Sequence, residues 1–415
     1  MTLLWITLAA AGAGAMVPDV NGFLRLEYVQ SEASLDERDG GSGEPLNENR
    51  FRVAPSRLQL RCEGESVAYS IDLDFGSEGR SFVGLHRAVA ILGWPRSVSA
   101  GTGSCQGHLG PYRLSAGLFH VPFGYEVYNQ NNRDRVFANR ATYSDAFFPG
   151  QSDLGVSASG AFGPLDVVVS VQNGEPIGGR GLPSRDPNAA KDVVARMGAH
   201  GHVGRRVRVD AGLSFLGGSG FHPGTLATKD QLVWRDFNQD GLVQLSELQN
   251  LPATAATPSE SFARWAVGAD LRAFAAIPRL GPLLVYAELA HAVNLDRGLR
   301  PADPVFLGRD QRALGYYVAA VQQLRGGYIL AARYDVYEPD LDDRGLEGGT
   351  LVRQREVFRA LTLAAGLTFA LVPDMQARLM LEYAHRRDPL GLDAAGRPTD
   401  LANDLFTAQL QLNFW

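Results

Sequence analysis

Val67-Ala68-Tyr69-Ser70-Ile71-Asp72-Leu73-Asp74-Phe75 puts an apolar side chain at every odd position and Ala, Ser, Asp and Asp at the even ones. A helix repeats every 3.6 residues, whereas a period of two sends alternate side chains to opposite faces of a sheet. The pattern recurs. Val207, Val209, Ala211, Leu213 and Phe215 alternate with Arg208, Asp210, Gly212 and Ser214. Trp265, Val267, Ala269 and Leu271 alternate with Arg264, Ala266, Gly268, Asp270 and Arg272. Near the C-terminus, Phe406, Ala408, Leu410, Leu412 and Phe414 alternate with Thr407, Gln409, Gln411 and Asn413.

Over the whole chain the pattern predicts sixteen strands: 21–30, 51–62, 67–76, 83–94, 111–121, 153–162, 165–174, 192–203, 206–217, 262–275, 282–294, 312–323, 327–338, 356–370, 375–386 and 404–415. Short connections at 63–66, 163–164, 204–205, 276–281, 324–326 and 371–374 read as periplasmic turns. Long ones at 31–50, 122–152, 175–191, 218–261, 295–311, 339–355 and 387–403 read as outward loops, and 95–110 as a long periplasmic connection. A soluble β-sandwich uses about seven strands in ~100 residues. Sixteen strands with connections alternating short and long, and a polar face carrying both signs of charge, fit an outer-membrane barrel instead. The predicted fold is all-β: a sixteen-stranded antiparallel transmembrane β-barrel over residues 16–415, wide enough to enclose water.

Composition agrees. Of 415 residues, 45% are hydrophobic and 20% charged, and only two are cysteine, which excludes a disulfide scaffold and a disordered chain. A formal charge of −6 argues against a nucleic-acid partner. Among 39 basic residues only Lys191 and Lys229 are lysine, a bias that genome composition explains as well as guanidinium chemistry does. The apolar run Leu3 to Ala15, closing on Ala13-Gly14-Ala15, reads as an export signal over 1–15. No later stretch approaches the ~18 consecutive apolar residues of a membrane helix.

Gly117-Leu-Phe-His-Val-Pro122-Phe123-Gly124-Tyr-Glu126 is followed by Asn132-Arg133-Asp134, Asn139-Arg140, Phe147-Phe148-Pro149-Gly150 and Asp153-Leu-Gly155-Val156. In this order the segments resemble the phosphate-selective porins O and P. Arg57-Leu-Gln-Leu-Arg61, Tyr69 to Phe75 and Gln409 to Phe414 are similar to that family's second, third and closing strands. The resemblance spans nearly the whole chain by strand order and is most specific over about residues 50–175. It implies a homotrimeric porin in the outer membrane of a Gram-negative-type bacterium, with a third loop folded inward as a constriction. Trp415 extends one residue past the usual terminal aromatic, and the near absence of lysine leaves no lysine-based collection of anions to carry over.

The polar face places Arg25, Arg57, Arg61, Arg113, Arg208, Arg264, Arg272 and Arg378 toward water, with Glu27, Asp72, Asp74, Asp210, Asp270, Asp335 and Glu382 on the same side. These arginines either pair across strands and brace the wall or form a ladder along which anions pass. Arg133, Arg135 and Arg140 lie in the inferred constriction against Glu126, Asp134 and Asp145. The expected function is a porin passing small hydrophilic solutes with a modest anion preference; the alternatives are a phosphate-selective channel and a calcium-stabilised surface adhesin or receptor.

Calcium enters through Asp236-Phe-Asn238-Gln-Asp240-Gly241-Leu242-Val-Gln244-Leu-Ser-Glu247, inside the long outward loop 218–261. Oxygens at positions one, three and five converge on one hard cation, glycine at six permits the turn, and glutamate at twelve closes the sphere. Leu242 offers its carbonyl, and Gln244 acts through water. This resembles the loop of EF-hand and dockerin repeats, over these twelve residues only. Cys62 and Cys105 both fall at the periplasmic end, where a disulfide can form. His200 and His202 share a strand face but have no evident third ligand, so solvated histidines are the plainer reading. No G-x-S-x-G or H-E-x-x-H motif is present, and no enzyme activity is expected.

Overall fold

In the computed structural model the described residues are 18–31, 49–64, 66–76, 83–95, 109–130, 132–174, 188–235, 242–347, 350–353, 356–389, 391–392, 398–400 and 403–415. The export segment 1–15, most of the connection 95–110 with Cys105, and Asp236, Asn238 and Asp240 lie outside them.

The barrel strands are β1 (Asp19–Ser31), β2 (Asn49–Val53 and Ser56–Glu63), β3 (Val67–Phe75), β4 (Val83–Trp94), β5 (Tyr112–His120), β6 (Ser152–Phe162), β7 (Leu165–Gln172) and β8 (Asp192–Val203). They continue as β9 (Val207–His222), β10 (Glu260–Ile277), β11 (Gly281–Val293), β12 (Arg312–Gln323), β13 (Tyr328–Glu338), β14 (Phe358–Val372), β15 (Met375–Arg387) and β16 (Leu405–Phe414). Each pairs antiparallel with the next, and β16 returns to β1 from Gly22↔Phe414 to Ser31↔Leu405, so the sheet has no edge.

Three strands depart here from the expected pattern for local reasons. The segment expected as one strand over 51–62 is broken at Ala54-Pro55, since proline cannot donate to the ladder. Both pieces still pair with β1, but the register slips by one residue between Leu26↔Val53 and Phe23↔Arg57, and the Ala54 amide bonds to the Arg25 carbonyl at 3.0 Å. Strands β9 and β10 run further outward than their alternation showed: Gly217, Gly218 and Gly220 carry no apolar signal yet pair with Trp265, Arg264 and Phe262.

Burial is inverted relative to a water-soluble globule. On β1, Arg25 and Glu27 are 1% and 3% exposed, while Leu24 and Leu26 between and beside them are 38% and 41% exposed. On β15, Arg378 and Glu382 are buried while Leu379, Leu381 and Tyr383 face outward. Apolar side chains turned out and charges turned in suit hydrocarbon around the barrel, where an arginine at the midplane would cost about 2–4 kcal/mol. At the short-turn ends of β4, β5 and β6, Trp94, Tyr112 and Phe162 form a chain of neighbouring rings with centroids 6.1 and 5.5 Å apart. Such aromatic girdles sit at membrane interfaces.

Candidate functional site: the lumen passage

The site is built by the connection between β5 and β6, residues 121–151, which turns into the barrel. Gly124 has φ +65°, and a Cβ there would stand 3.0 Å from Glu288, so glycine allows the loop to meet the far wall. Gly124 N bonds to Ser214 Oγ at 3.0 Å, and its carbonyl accepts from Arg196 Nε at 3.1 Å. Glu288 on β11 then receives the Tyr125 and Glu126 amides and the Tyr143 hydroxyl. Farther along, Arg25 donates to the Asn132 carbonyl (2.7 Å), Arg378 to the Arg133 and Arg135 carbonyls, and the Ala138 amide to Glu382 (2.8 Å). Thus β1, β8, β9, β11 and β15 all grip one loop.

Apolar packing decides which side of the lumen the loop fills. Phe123, Tyr143, Phe147 and Phe148 are buried against Ala266, Ala290, Ala292, Ala313 and Ala319 of β10–β12. Gly315 leaves room for Tyr143, since a Cβ there would fall 2.2 Å from that of Tyr143. Small residues on the lumen face thus make a socket for large ones on the loop, each large ring contributing about 1.5–3 kcal/mol of burial. A second outward loop joins from above: the Arg297 and Gly298 amides bond to the Ala146 carbonyl at 2.8 and 2.9 Å. Asp296 braces it by accepting from the Gly298 and Leu299 amides and the Tyr337 hydroxyl.

What stays open lies along the other walls. A cavity of about 850 Å³ beside β1–β4 is lined by Arg52, Arg57, Arg135 and Arg140 against Glu27, Asp74 and Asp145, with His86 at its floor. One of about 720 Å³ beside β13–β15 is lined by Arg140, Arg297, Arg333 and Arg386 against Asp145, Asp335, Glu382 and Asp388. They share Asn139, Arg140, Asp145, Pro149 and Gly150 of the loop. Toward the short-turn end, a cavity of about 140 Å³ is lined by Arg87, Arg113, His120, Tyr128 and three serines, with no carboxylate among its described residues. At the mouth, about 570 Å³ lies among Arg205, Arg206, Arg208 and Arg272 with Asp210.

The sequence-derived residues divide accordingly. Arg57 stands in the wall 3.7 Å from Asp74, and Arg113 reaches the Gly110 carbonyl at 3.3 Å. Arg61 is half-buried opposite Ser70. Arg208 and Arg272 share Asp210 at 3.0 and 2.8 Å, and Arg272 lies over the Tyr125 ring, 4.4 Å from its centroid. Arg264 is buried against Asp192 at 2.7 Å, a bracing position. In the loop, Arg140 reaches both upper cavities and pairs with Asp145 at 2.5 Å. Arg135 spends its guanidinium on the Phe137 and Ala138 carbonyls (3.1 and 3.0 Å), and burial lowers its pKa with Glu126 opposing. Arg133 pairs with Asp134 at 3.4 Å, and its carbonyl holds the loop. Cys62 is buried and disulfide-bonded. His200 and His202 are exposed, and among the described residues no group of three metal-binding side chains occurs.

Several lining residues escaped the period-of-two reading. Between Asp72↔Arg87 and Leu73↔Leu85 the ladder carries a bulge at His86, so His86 and Arg87 both reach the lumen although adjacent in sequence. Glu288 and Arg333 lie on the polar face at lumen positions, but nothing in their own strands marks the loop they hold.

No protein-family model and no curated protein sequence matches the chain. Among solved structures, the outer membrane channel DcaP of Acinetobacter baumannii superposes with a TM-score of 0.56 at 12% identity, covering 98% of this chain and 99% of that one. The anion-selective porin from Comamonas acidovorans gives 0.52 at 10% identity, covering 96% and 98%. The trimer form of OmpT from Vibrio cholerae gives 0.51 at 11% identity, covering 97% and 100%. The chain shares the fold of these outer-membrane barrels.

Proposed function

We propose that this chain is an outer-membrane porin: a water-filled channel for passive diffusion of small hydrophilic solutes, with a modest preference for anions. One observation carries the reading. Cavities follow the wall from the outer vestibule past the inward loop, and toward the short-turn end their charged lining is Arg87, Arg113, Arg205, Arg206, Arg208 and Arg272 against two carboxylates, Asp210 and, beside β10–β12, Asp134. A guanidinium offers a planar fork of donors suited to oxyanions, and unbalanced rings of one sign select ions of the other. The reversal potential across a bilayer under a potassium chloride gradient tests the preference: an excess of chloride permeability is expected, and cation preference would overturn it. Strict phosphate selectivity is the narrower version, suggested by the likeness of residues 50–175 to the phosphate-selective porins; chloride current undiminished by added phosphate removes it. A homotrimer is proposed by analogy with the trimer form of OmpT.

A second reading concerns the outward arm. The twelve-residue motif beginning at Asp236 is proposed to bind calcium through Asp236, Asn238, Asp240, Leu242, Gln244 and Glu247. Two described features support it. Gln231–Trp234 pairs with Leu248–Leu251, Trp234 opposite Leu248, so the strands flanking the motif lie side by side. Leu245–Glu247 forms a single 3-10 turn, at the positions where an EF-hand loop enters its second helix. Calorimetric titration of the folded protein should show calcium binding that Asp236→Ala removes; identical titrations of the two would refute it.

A further inference from the structure

On the outer face of β14 and β15 the cross-strand pairs run, from the short-turn side to the rim, Leu367↔Leu379, Ala365↔Leu381, Leu363↔Tyr383, Leu361↔His385 and Arg359↔Arg387. Directly opposed residues share a face, and successive pairs on it rise by about 7 Å along the strands. Leu361, Leu363, Leu379 and Leu381 are exposed there, as a surface against hydrocarbon requires. Tyr383 is exposed too, as is Tyr334 of β13, which stands opposite Leu361. These rings mark the outer aromatic girdle. The row therefore passes from aliphatic to aromatic to cationic side chains, and its last pair lies on the loop side of the girdle, at the level of lipid headgroups.

That last pair is two arginines. Both side chains are exposed, and among the described residues neither makes a hydrogen bond or an ion pair. Like charges directly opposite each other weaken a sheet, so the wall gains nothing from them alone. The carboxylates of the neighbouring strand ends and loops are spent elsewhere. Asp404 accepts from Tyr383 Oη, His385 Nδ1 and the Arg386 amide, and Asp388 accepts from Asn403. Glu356 pairs with Arg300 at 2.5 Å, and Glu338 at the end of β13 is buried. Other arginines of the rim are matched: Arg309 with Asp340 and Arg312 with Asp342, each at 2.5 Å.

An anion with several oxygens answers this arrangement, because two planar guanidinium forks side by side present paired donors to one phosphate. We infer that Arg359 and Arg387 clamp a phosphate on the headgroup of an outer-leaflet lipid. The occupant is a lipid, not a free anion, because the pair tops a row that faces hydrocarbon. A molecule whose phosphate sits on the arginines lays its acyl chains against Leu361, Leu363 and Leu381, contacts that a free phosphate would forgo. The inference stands on the barrel's place in the outer membrane and not on whether it conducts.

The test is thermal melting of the folded full-length protein in a nonionic detergent, with and without diphosphorylated lipid A. Lipid A should raise the melting temperature of the wild type, and Arg359→Gln or Arg387→Gln should need about tenfold more of it for the same rise. Without lipid each variant should melt at or above the wild-type temperature, since it relieves the like-charge contact. Arg325→Gln, in a short turn at the opposite end, should respond as the wild type does, and a heat-modifiable band on gels shows that each barrel has closed. Four results would overturn the clamp: a wild type indifferent to lipid A, variants as responsive as the wild type, variants less stable than it without lipid, or an equal rise from dephosphorylated lipid A. A rise reproduced by inorganic phosphate alone at the same concentration would also overturn it, by making the occupant a free anion. None of these outcomes bears on bilayer conductance, so the channel reading stands or falls separately.

Discussion

The Arg333 guanidinium of β13 lies over the Phe137 ring of the inward loop, 4.8 Å from its centroid, and donates to the carbonyls of Asn139 (2.9 Å) and Arg140 (3.2 Å). Asp335 at 3.3 Å and Glu126 at 3.7 Å balance its charge. One wall residue thus fixes the loop by stacking, by hydrogen bonding and by charge, next to the Arg140 that both upper cavities share.

Removing that residue should loosen the loop and leave the barrel closed. Arg333→Ala leaves Glu126 and Asp335 buried without their partner, a loss on the order of 3–5 kcal/mol for a broken buried pair. The expected result is a lower melting temperature in detergent, with larger and noisier single-channel currents. Arg333→Lys keeps the charge but not the planar fork, so it should fall between the two.

Leu114 and Ser115 sit side by side on β5 and face opposite ways: Leu114 is 46% exposed on the outer surface, and Ser115 lines the small lower cavity. Leu114→Arg should cost about 2–4 kcal/mol if it falls near the bilayer midplane, read as poorer folding into vesicles. Ser115→Arg should fold as the wild type does and lower the current instead. Equal folding defects in the two variants would contradict the assignment of faces.

At the outer rim, Asp404 accepts from Tyr383 Oη (2.5 Å), His385 Nδ1 (2.9 Å) and the Arg386 amide (2.8 Å). Slight burial raises its pKa, but these donors outweigh it and hold the carboxyl below its ordinary value. A pKa depressed on folding contributes stability that is present above the unfolded value and lost as pH falls through the folded one. Asp404→Asn should therefore be less stable than the wild type at neutral pH, and the difference should close as the solution is acidified below the ordinary carboxylate range. A difference that persists unchanged in acid would show that the carboxylate's charge contributes nothing.

Most of the wall was legible because it obeys one rule. Strands β8 and β12 carry the bounds that alternation assigned, 192–203 and 312–323. The rule fails where the ladder does: at Pro55, which cannot donate, and at the His86 bulge, which turns two successive side chains inward. The loop's path was anticipated by family likeness, whereas its socket had a signal that went unread. Ala266-x-Gly268, Ala290-x-Ala292 and Ala313-x-Gly315 put small residues at lumen positions of three consecutive strands, where a water-filled wall would carry polar ones. Aromatic residues 123, 143, 147 and 148 complement them across more than a hundred residues of sequence, a pairing that no local period reveals. The inward turn of the loop at Asp296 depends likewise on Tyr337, forty-one positions away.

A channel requires water to fill the space between the inward loop and the walls of β1–β5 and β13–β15. Current through a planar lipid bilayer after addition of the purified, folded protein tests this most directly. Discrete, ohmic conductance steps at neutral pH are expected, with smaller steps when Ser115→Arg obstructs the lower chamber. Insertion of intact barrels that carry no current would contradict it.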